Sequence, residues 1–134
     1  MKANELKATD LMVGDWVICY HPSRLKSFEK VSVGLLHTMQ EQEYGHIKED
    51  NPLFRIVEPI PLTPEILEKN GLASNSFCCC HFEEDEYMAL EISVEEDGIY
   101  WTINCDEYGI MKLEYVHQLQ HALKLCGIDK EIVV

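Results

Sequence analysis

The sequence lacks any apolar run long enough to cross a membrane, and its first residues lack the apolar core of a signal peptide. A membrane-spanning helix needs about 18 or more consecutive apolar residues, so neither a span nor a membrane partner is expected. A cytoplasmic location follows as an expectation. Because thiols stay reduced there, the six cysteines are expected to be small buried hydrophobes or metal ligands rather than disulfides.

The chain also lacks the short motifs that mark common catalytic and cofactor sites. No P-loop, dinucleotide-binding glycine fingerprint, nucleophile elbow or EF-hand loop can be read in it. We therefore assign no catalytic residue, expect no cofactor, and predict that the protein is not an enzyme.

Positive charge is scarce, above all in the second half. The formal net charge is −13: residues 1–60 carry seven Lys/Arg against nine Asp/Glu, whereas residues 61–134 carry four against fifteen. Such a surface repels phosphate, so direct nucleic-acid binding is disfavoured, and it attracts basic partners. Two interpretations stay open: a merely solvated surface, or an acidic mimic of nucleic acid that occupies a basic host protein.

Residues 1–58 favour a small β-rich lobe. A Gly14-Asp15 turn precedes the β-prone run Trp16–Tyr20, and further β-prone runs occupy residues 31–36 and 53–57. Short strands at this spacing predict a small curled β-sheet or an SH3-like barrel.

Residues 59–71 read as a proline-rich connector that ends in a short helix. Thr63 suits the N-cap and Pro64 the first helical position, and Asn70-Gly71 predicts a left-handed C-terminal cap.

Residues 72–134 predict an acidic antiparallel β-sheet covered by a C-terminal helix, which makes the chain α+β. Residues 87–94 and 99–105 alternate apolar and polar side chains around an Asp97-Gly98 turn, and pairing Glu96 with Ile99 collects the apolar ones on one face. Residues 115–126 carry an apolar arc that can cover that face. Residues 131–134 are expected to form a tail or an edge strand.

Half of the cysteines lie in the stretch FCCCHF, residues 77–82. We predict a strand in which Phe82 pairs with Tyr87, so that Cys78 and Cys80 share one face and Cys79 lies on the other. Cys78 and Cys80 are weak metal candidates, because they offer two ligands where a structural zinc site uses four. A thiol or zinc-binding protein that uses this pair is the alternative function.

His117 and His121 have the spacing of a zinc-protease helix, but Gln118 stands where that motif needs glutamate. Both histidines lie opposite the apolar arc and are expected to be solvent-exposed. They are the second pair of weak metal candidates, and a surface zinc shared between chains stays open.

The leading hypothesis is a non-enzymatic protein-interaction module with an unidentified protein partner, for which a basic surface is favoured. Oligomeric state and the relative orientation of the lobes are left open. The candidate interaction residues are the acidic turn and the two aromatic residues beside it: Glu83, Glu84, Asp85, Glu86, Phe82 and Tyr87.

Three stretches carry a resemblance: LMVGDWV (11–17), EPIPLTPEILEKNG (58–71) and YVHQLQHALKLCG (115–127). In this order and spacing they resemble a family of small uncharacterised proteins of gut bacteria, whose genes often lie among phage or other mobile-element genes. The resemblance implies a cytoplasmic protein of phage or mobile-element origin, and it implies no catalytic residues.

Overall fold

The computed structural model describes residues 6–72, 76–83, 86–103, 110–125, 128 and 130–134, and within these ranges the side chains of residues 76–83, 86–91, 102, 103, 110 and 111 are not described. The chain divides into two compact units, Met1–Ile60 and Pro61–Val134, called unit 1 and unit 2 below. Each mixes helices with antiparallel strands, so the α+β class is confirmed.

Unit 1 contains a three-stranded antiparallel sheet in the order β2-β1-β3. Its elements are a short 3₁₀ helix (Ala8–Asp10), β1 (Trp16–Tyr20), β2 (Ser27–Lys30), α1 (Val33–Glu43) and β3 (Ile56–Pro59). The strand at Trp16–Tyr20 is confirmed. The sheet is open, and the described residues form no closed barrel, so the SH3-like barrel is not confirmed.

The strand predicted at residues 31–36 is wrong, because most of that segment belongs to helix α1. Ser32 is its N-cap, and the Ser32 hydroxyl accepts the Leu35 N–H at 3.1 Å. Leu35, Leu36 and Met39 then pack on the unit 1 core. The capping serine and the spacing of these apolar residues outweigh the β preference of Val31 and Val33.

The unit 1 core lies between one face of β1 and α1. Val17 and Cys19 point into it with 0% and 2% of their surfaces exposed, and they pack with Leu11, Val31 and Met39. Burying a side chain of this size stabilises the fold by roughly 1.5–3 kcal/mol. Because the strand alternates, Trp16, Ile18 and Tyr20 are directed to the opposite face.

Unit 2 contains a four-stranded antiparallel sheet in the sequential order β4-β5-β6-β7. Its elements are α2 (Pro64–Lys69), β4 (Ser76–Glu83), β5 (Glu86–Glu95), β6 (Gly98–Ile103), β7 (Ile110–Leu113) and α3 (Val116–Leu125). Strand β7 was not predicted. It pairs with β6, placing Leu113 opposite Ile99, and both side chains are buried.

The caps predicted for the short helix are confirmed. The Thr63 hydroxyl accepts the Ile66 N–H at 3.3 Å, Pro64 opens the helix, and Gly71 has φ +70°. Leu72 N–H donates to the Leu67 carbonyl and Gly71 N–H to the Glu68 carbonyl, the two bonds of a Schellman cap.

The predicted register between β4 and β5 is wrong by one residue. Cys78 pairs with Leu90 and Cys80 with Met88, where Cys79 and His81 had been expected. The register shifts between His81 and Glu83, which absorbs the difference near the turn. A one-residue slip exchanges the two faces of a strand. Cys78 and Cys80, rather than Cys79, are therefore opposite the β5 residues that are in phase with buried Ile92.

The predicted register between β5 and β6 is wrong by two residues, which leaves the faces unchanged. Glu95 pairs with Gly98 and Ile92 with Trp101, so the two-residue turn is Glu96-Asp97. A Cβ at Gly98 would stand 2.6 Å from Cε of Lys112, so the glycine leaves room for that side chain.

Helix α3 contacts β7, and the predicted apolar arc is buried at its described helical positions Val116, Leu119, Ala122 and Leu123. The segment at residues 131–134 is not a strand. Ile132 is nevertheless buried, and Val133 exchanges two hydrogen bonds with the Asn70 carboxamide, each 2.8 Å long.

Candidate interaction surface

The outer face of the unit 1 sheet carries the described side chains that best form a binding surface. Trp16, Ile18 and Tyr20 of β1 lie on this face and are half-buried, whereas their neighbours Val17 and Cys19 fill the core. Two aromatic rings of one strand therefore lie on the same face, directed away from the unit 1 core.

Strand β2 extends this face on one side. Lys30 is paired with Trp16 and Phe28 with Ile18, and residues directly opposite in an antiparallel pair share a face. The Phe28 side chain is 56% exposed. The face therefore combines half-buried rings with one more exposed aromatic side chain.

Two lysines lie over the aromatic rings of β1. The Lys30 ammonium is 5.3 Å from the Trp16 ring centroid, and the Lys26 ammonium is 5.2 Å from the Tyr20 centroid. A cation over an aromatic face is attracted by the ring quadrupole and contributes about 0.5–1 kcal/mol at an exposed site. Each contact places an ammonium group over part of an aromatic ring.

Glu58 of β3 adds a carboxylate to the same face. It is 2.9 Å from the Lys26 ammonium, and its position opposite Ile18 brings it beside Tyr20. A hydrogen bond to Glu58 raises the pKa of the Tyr20 hydroxyl, and the same carboxylate raises the pKa of Lys26. Tyr20 is therefore a neutral donor and Lys26 a cation at physiological pH.

We call this surface the aromatic face. Its members come from the three strands and from Lys26, directly before β2: Trp16, Ile18, Tyr20, Lys26, Phe28, Lys30, Ile56 and Glu58. Tryptophan and tyrosine are enriched in the energetically dominant parts of protein interfaces, whereas lysine is depleted there.

Sequence reasoning did not identify the aromatic face. The alternation in WVICY was available in the sequence, but the segment SFEK, residues 27–30, was not recognised as its partner strand. The signal that could have found it is the spacing of Lys26, Phe28 and Lys30, because residues two apart in a strand share a face.

The interaction residues predicted from sequence lie largely outside the described part of the chain. Glu84 and Asp85 are not described at all. For the other four, Phe82, Glu83, Glu86 and Tyr87, the structure gives their place in β4 or β5 and nothing of their side chains.

The structure brings His117 and His121 together but contradicts the expected exposure of His117. The His117 side chain is only 6% exposed: its ring stacks on Tyr115 at 5.9 Å and meets the His121 ring edge-on at 5.6 Å. Tyr115 lies one residue before helix α3, so helical periodicity does not predict its position relative to His117. The contacts with Tyr115 and His121 cover part of the His117 ring.

Gln118, which replaces the glutamate of the zinc-protease motif, caps helix α3. Its side-chain oxygen accepts the Glu114 N–H at 2.7 Å and the Tyr115 N–H at 3.0 Å. These bonds satisfy two backbone donors beside the helix N-terminus, as the third residue of a capping box does.

The described residues add no further ligands to the metal candidates. Within the part of the chain that the structure describes, no three or more His, Cys, Asp or Glu side chains lie together as a metal site would require. The side chains of Cys78 and Cys80 are outside that part, so the metal site predicted for them is untested.

Cys19 is buried, and burial, followed by the nearby Glu29, raises the pKa of its thiol to about 11.

Searches against protein-family models, curated proteins and solved structures found no match. The resemblance drawn from the three sequence motifs therefore stays a prediction. Among the described residues, none of the helices has both the length and the apolar character that crossing a bilayer requires.

Proposed function

We propose that the protein is a non-enzymatic protein-interaction module and that the aromatic face of unit 1 is its binding surface. The observation that carries the proposal is the exposure of Phe28 beside the half-buried rings of Trp16 and Tyr20. Apolar groups clustered around aromatic anchors gain most of their binding free energy when a partner excludes water from them.

The local charge supports an acidic partner for this face. Arg24, Lys26 and Lys30 are three cations within residues 20–30, and Glu29 is the one acidic residue of that segment, so its net charge is +2 in a chain of −13. An acidic partner surface is steered toward such a segment. The basic partner predicted from sequence would bind the acidic residues 61–134, and it stays a separate prediction.

The other interpretations also stay predictions. A thiol or zinc function of Cys78 and Cys80 and an acidic mimic of nucleic acid depend on side chains outside the described residues. The cytoplasmic location and the phage or mobile-element origin likewise stay proposals.

The test is capture of a partner from lysate of the source cells with purified protein. The variant Phe28→Ser removes the exposed aromatic group of β2 and is expected to keep the fold and lose the partner. The matched control is Tyr44→Ser, which removes a side chain that is 67% exposed in the same unit but outside the aromatic face. Equal capture by both variants would contradict the proposal, as would metabolite turnover by the pure protein.

A further inference from the structure

Strand β4 forms one edge of the four-stranded sheet of unit 2. It pairs with β5, and among the described residues no strand pairs with its other side. Strand β4 has eight residues, whereas each of the other edge strands, β2, β3 and β7, has four. An open edge presents unpaired N–H and C=O groups along its length, so a long edge is a template for another strand.

The other three edge strands carry residues that discourage such pairing. Strand β2 contains Glu29 and Lys30, β3 contains Glu58 and Pro59, and β7 contains the exposed Lys112. Charged side chains and proline are the common means by which sheet edges avoid pairing, because charge resists desolvation and proline lacks a backbone N–H.

Residues 76–82 of β4 have none of these protections. Their sequence, SFCCCHF, contains no Lys, Arg, Asp, Glu or Pro, although the net charge of the chain is −13. The register shift in the pairing with β5 lies between His81 and Glu83, near the end of the strand. A second copy of this acidic chain can therefore pair along β4 without a charged residue directly opposite a charged residue.

We propose that two copies of the chain pair through their β4 strands, antiparallel and centred on Cys79, so that two four-stranded sheets join into one. In this register Cys79 lies opposite Cys79 of the partner subunit, and Cys78 lies opposite Cys80 of the partner subunit. Each β4 edge is then satisfied by the other, which makes the assembly a closed two-fold dimer. The inference concerns unit 2 and does not depend on the aromatic face of unit 1.

The carboxylate at the end of β4 favours this arrangement over others. Antiparallel pairing separates Glu83 from Glu83 of the partner subunit by about 27 Å, at about 3.4 Å per residue. Parallel pairing in register would set the two side by side, where like charges repel. A centre at Cys80 would set Glu83 opposite Phe77 of the partner subunit, whereas a centre at Cys79 leaves Glu83 beyond the partner's β4, which begins at Ser76.

The position of Cys79 makes a direct test of this register possible. Cys79 pairs with Ala89 of β5, which is out of phase with buried Ile92, so a charge at position 79 is placed on the face opposite Ile92. Because Cys79 lies on the two-fold axis, one substitution places two identical residues directly opposite each other.

The experiment measures the mass of the full chain by analytical ultracentrifugation over about a hundredfold range of concentration, with reductant and chelator present to prevent disulfide and metal bridges. We expect a monomer–dimer equilibrium. Cys79→Lys and Cys79→Glu each set like charges opposite each other and should weaken the dimer about tenfold. Mixing the two variants should restore pairing as a heterodimer, because opposite charges then face each other.

Leu125→Lys is the matched control, because it also adds one positive charge in unit 2, at a side chain that is 67% exposed in α3. It should leave the dimer unchanged. A second measurement covers variants that fail to fold: a short bis-maleimide added to the natural protein should join Cys79 to Cys79 of the partner subunit, as mapped by mass spectrometry.

Several results would overturn the inference. They are a monomer at every concentration, a dimer that needs metal or oxidant, equal weakening by Leu125→Lys, folded variants that stay apart when mixed, and no link at Cys79. Capture of a different protein through β4 by a monomeric chain would show that the edge serves another partner. The proposed function is tested separately by Phe28→Ser in unit 1.

Discussion

The carboxamide side chains of Gln42 and Asn70 hold irregular segments in place. Each forms the pair of backbone hydrogen bonds that a neighbouring strand would form. The Gln42 side chain accepts the Arg55 N–H at 2.7 Å and donates to the Arg55 carbonyl at 2.9 Å. Asn70 makes the same pair of bonds with Val133. A carboxamide carries both a donor and an acceptor, so one side chain satisfies both polar groups of a residue that no strand pairs with.

Replacing Asn70 tests this role in unit 2. Asn70→Ala removes the bonds to Val133 and the donation to the Ile66 carbonyl, and we expect it to lower the free energy of unfolding by about 1–3 kcal/mol. Asn70→Asp keeps the acceptor for the Val133 N–H but places a carboxylate oxygen against the Ile66 and Val133 carbonyls, so it should cost at least as much. Urea unfolding measures both, and faster hydrogen exchange at Val133 in Asn70→Ala would locate the effect. Unchanged exchange at Val133 would show that the bonds contribute little.

Cys19 gives a prediction about reactivity and pH. Burial and Glu29 raise its pKa from 9.0 to about 11, so at about pH 8 its thiolate fraction should be roughly a hundredfold lower than that of an unperturbed thiol. Iodoacetamide labelling mapped by mass spectrometry should find Cys19 slow in native protein and fast in urea. Equally fast labelling in both states would contradict its burial.

The raised pKa of Cys19 also makes the stability of the protein depend on pH. Because the folded state raises the pKa of this thiol, the stability gained by keeping it neutral is fully present below its unfolded pKa. It is lost as the pH rises from 9.0 through about 11.

At the scale of elements, local chemistry predicted some boundaries well and others poorly. Thr63, Pro64 and Gly71 define α2 because each cap satisfies backbone groups within a few residues. Helix α1 was missed because valine and leucine suit a strand as well as a helix when no partner is considered. Strands β2 and β7 were missed for a related reason: four residues carry little periodicity without the strand they pair with.

Register was the least predictable feature of the sheets. The alternation of apolar residues in β5 and β6 predicted which residues share a face, but not which of two registers in the same phase forms. For β4 even the phase was wrong, because three adjacent cysteines give no alternation to read.

A matched pair of glycine substitutions tests the helix termini. Gly71 has φ +70° in the cap of α2, so Gly71→Ala should destabilise the protein by about 1–2 kcal/mol through backbone strain. Gly34 lies in the first turn of α1, and a Cβ there meets only the Ser32 hydroxyl oxygen at 3.8 Å, so Gly34→Ala should stabilise by about 0.5–1 kcal/mol. Urea unfolding compares the two. Effects of the same sign would contradict one of the backbone assignments.

At the scale of the whole molecule, charge is the dominant global property. With a net charge of −13, repulsion between carboxylates opposes the compact state, and salt screens that repulsion. The partly exposed pair Lys26 with Glu58 acts in the opposite sense, but a surface pair contributes about 0–1 kcal/mol.

We therefore expect salt to stabilise the protein. Its Tm should rise between about 20 mM and about 500 mM NaCl, because the Debye length falls several-fold over that range. Replacing exposed Glu95 and Glu96 by glutamine should raise the Tm at low salt and reduce its salt dependence. A Tm that falls with added salt would mean that attractive ion pairs outweigh the net repulsion.

The sequence by itself determined the properties that depend on composition or on neighbours along the chain. These include the α+β class, the caps of α2, the strand at Trp16–Tyr20 and the acidic character of residues 61–134. Each follows from periodicity, capping or a sum of charges, none of which needs knowledge of distant contacts.

Tertiary structure alone decided which residues meet. It paired the exposed segment SFEK with β1, and so assembled the aromatic face from residues that look unremarkable along the chain. It also buried His117 against Tyr115 and set the register of β4. The physical reason is that strand pairing and ring stacking depend on distances between segments that chain connectivity leaves free, and packing of the core selects one arrangement.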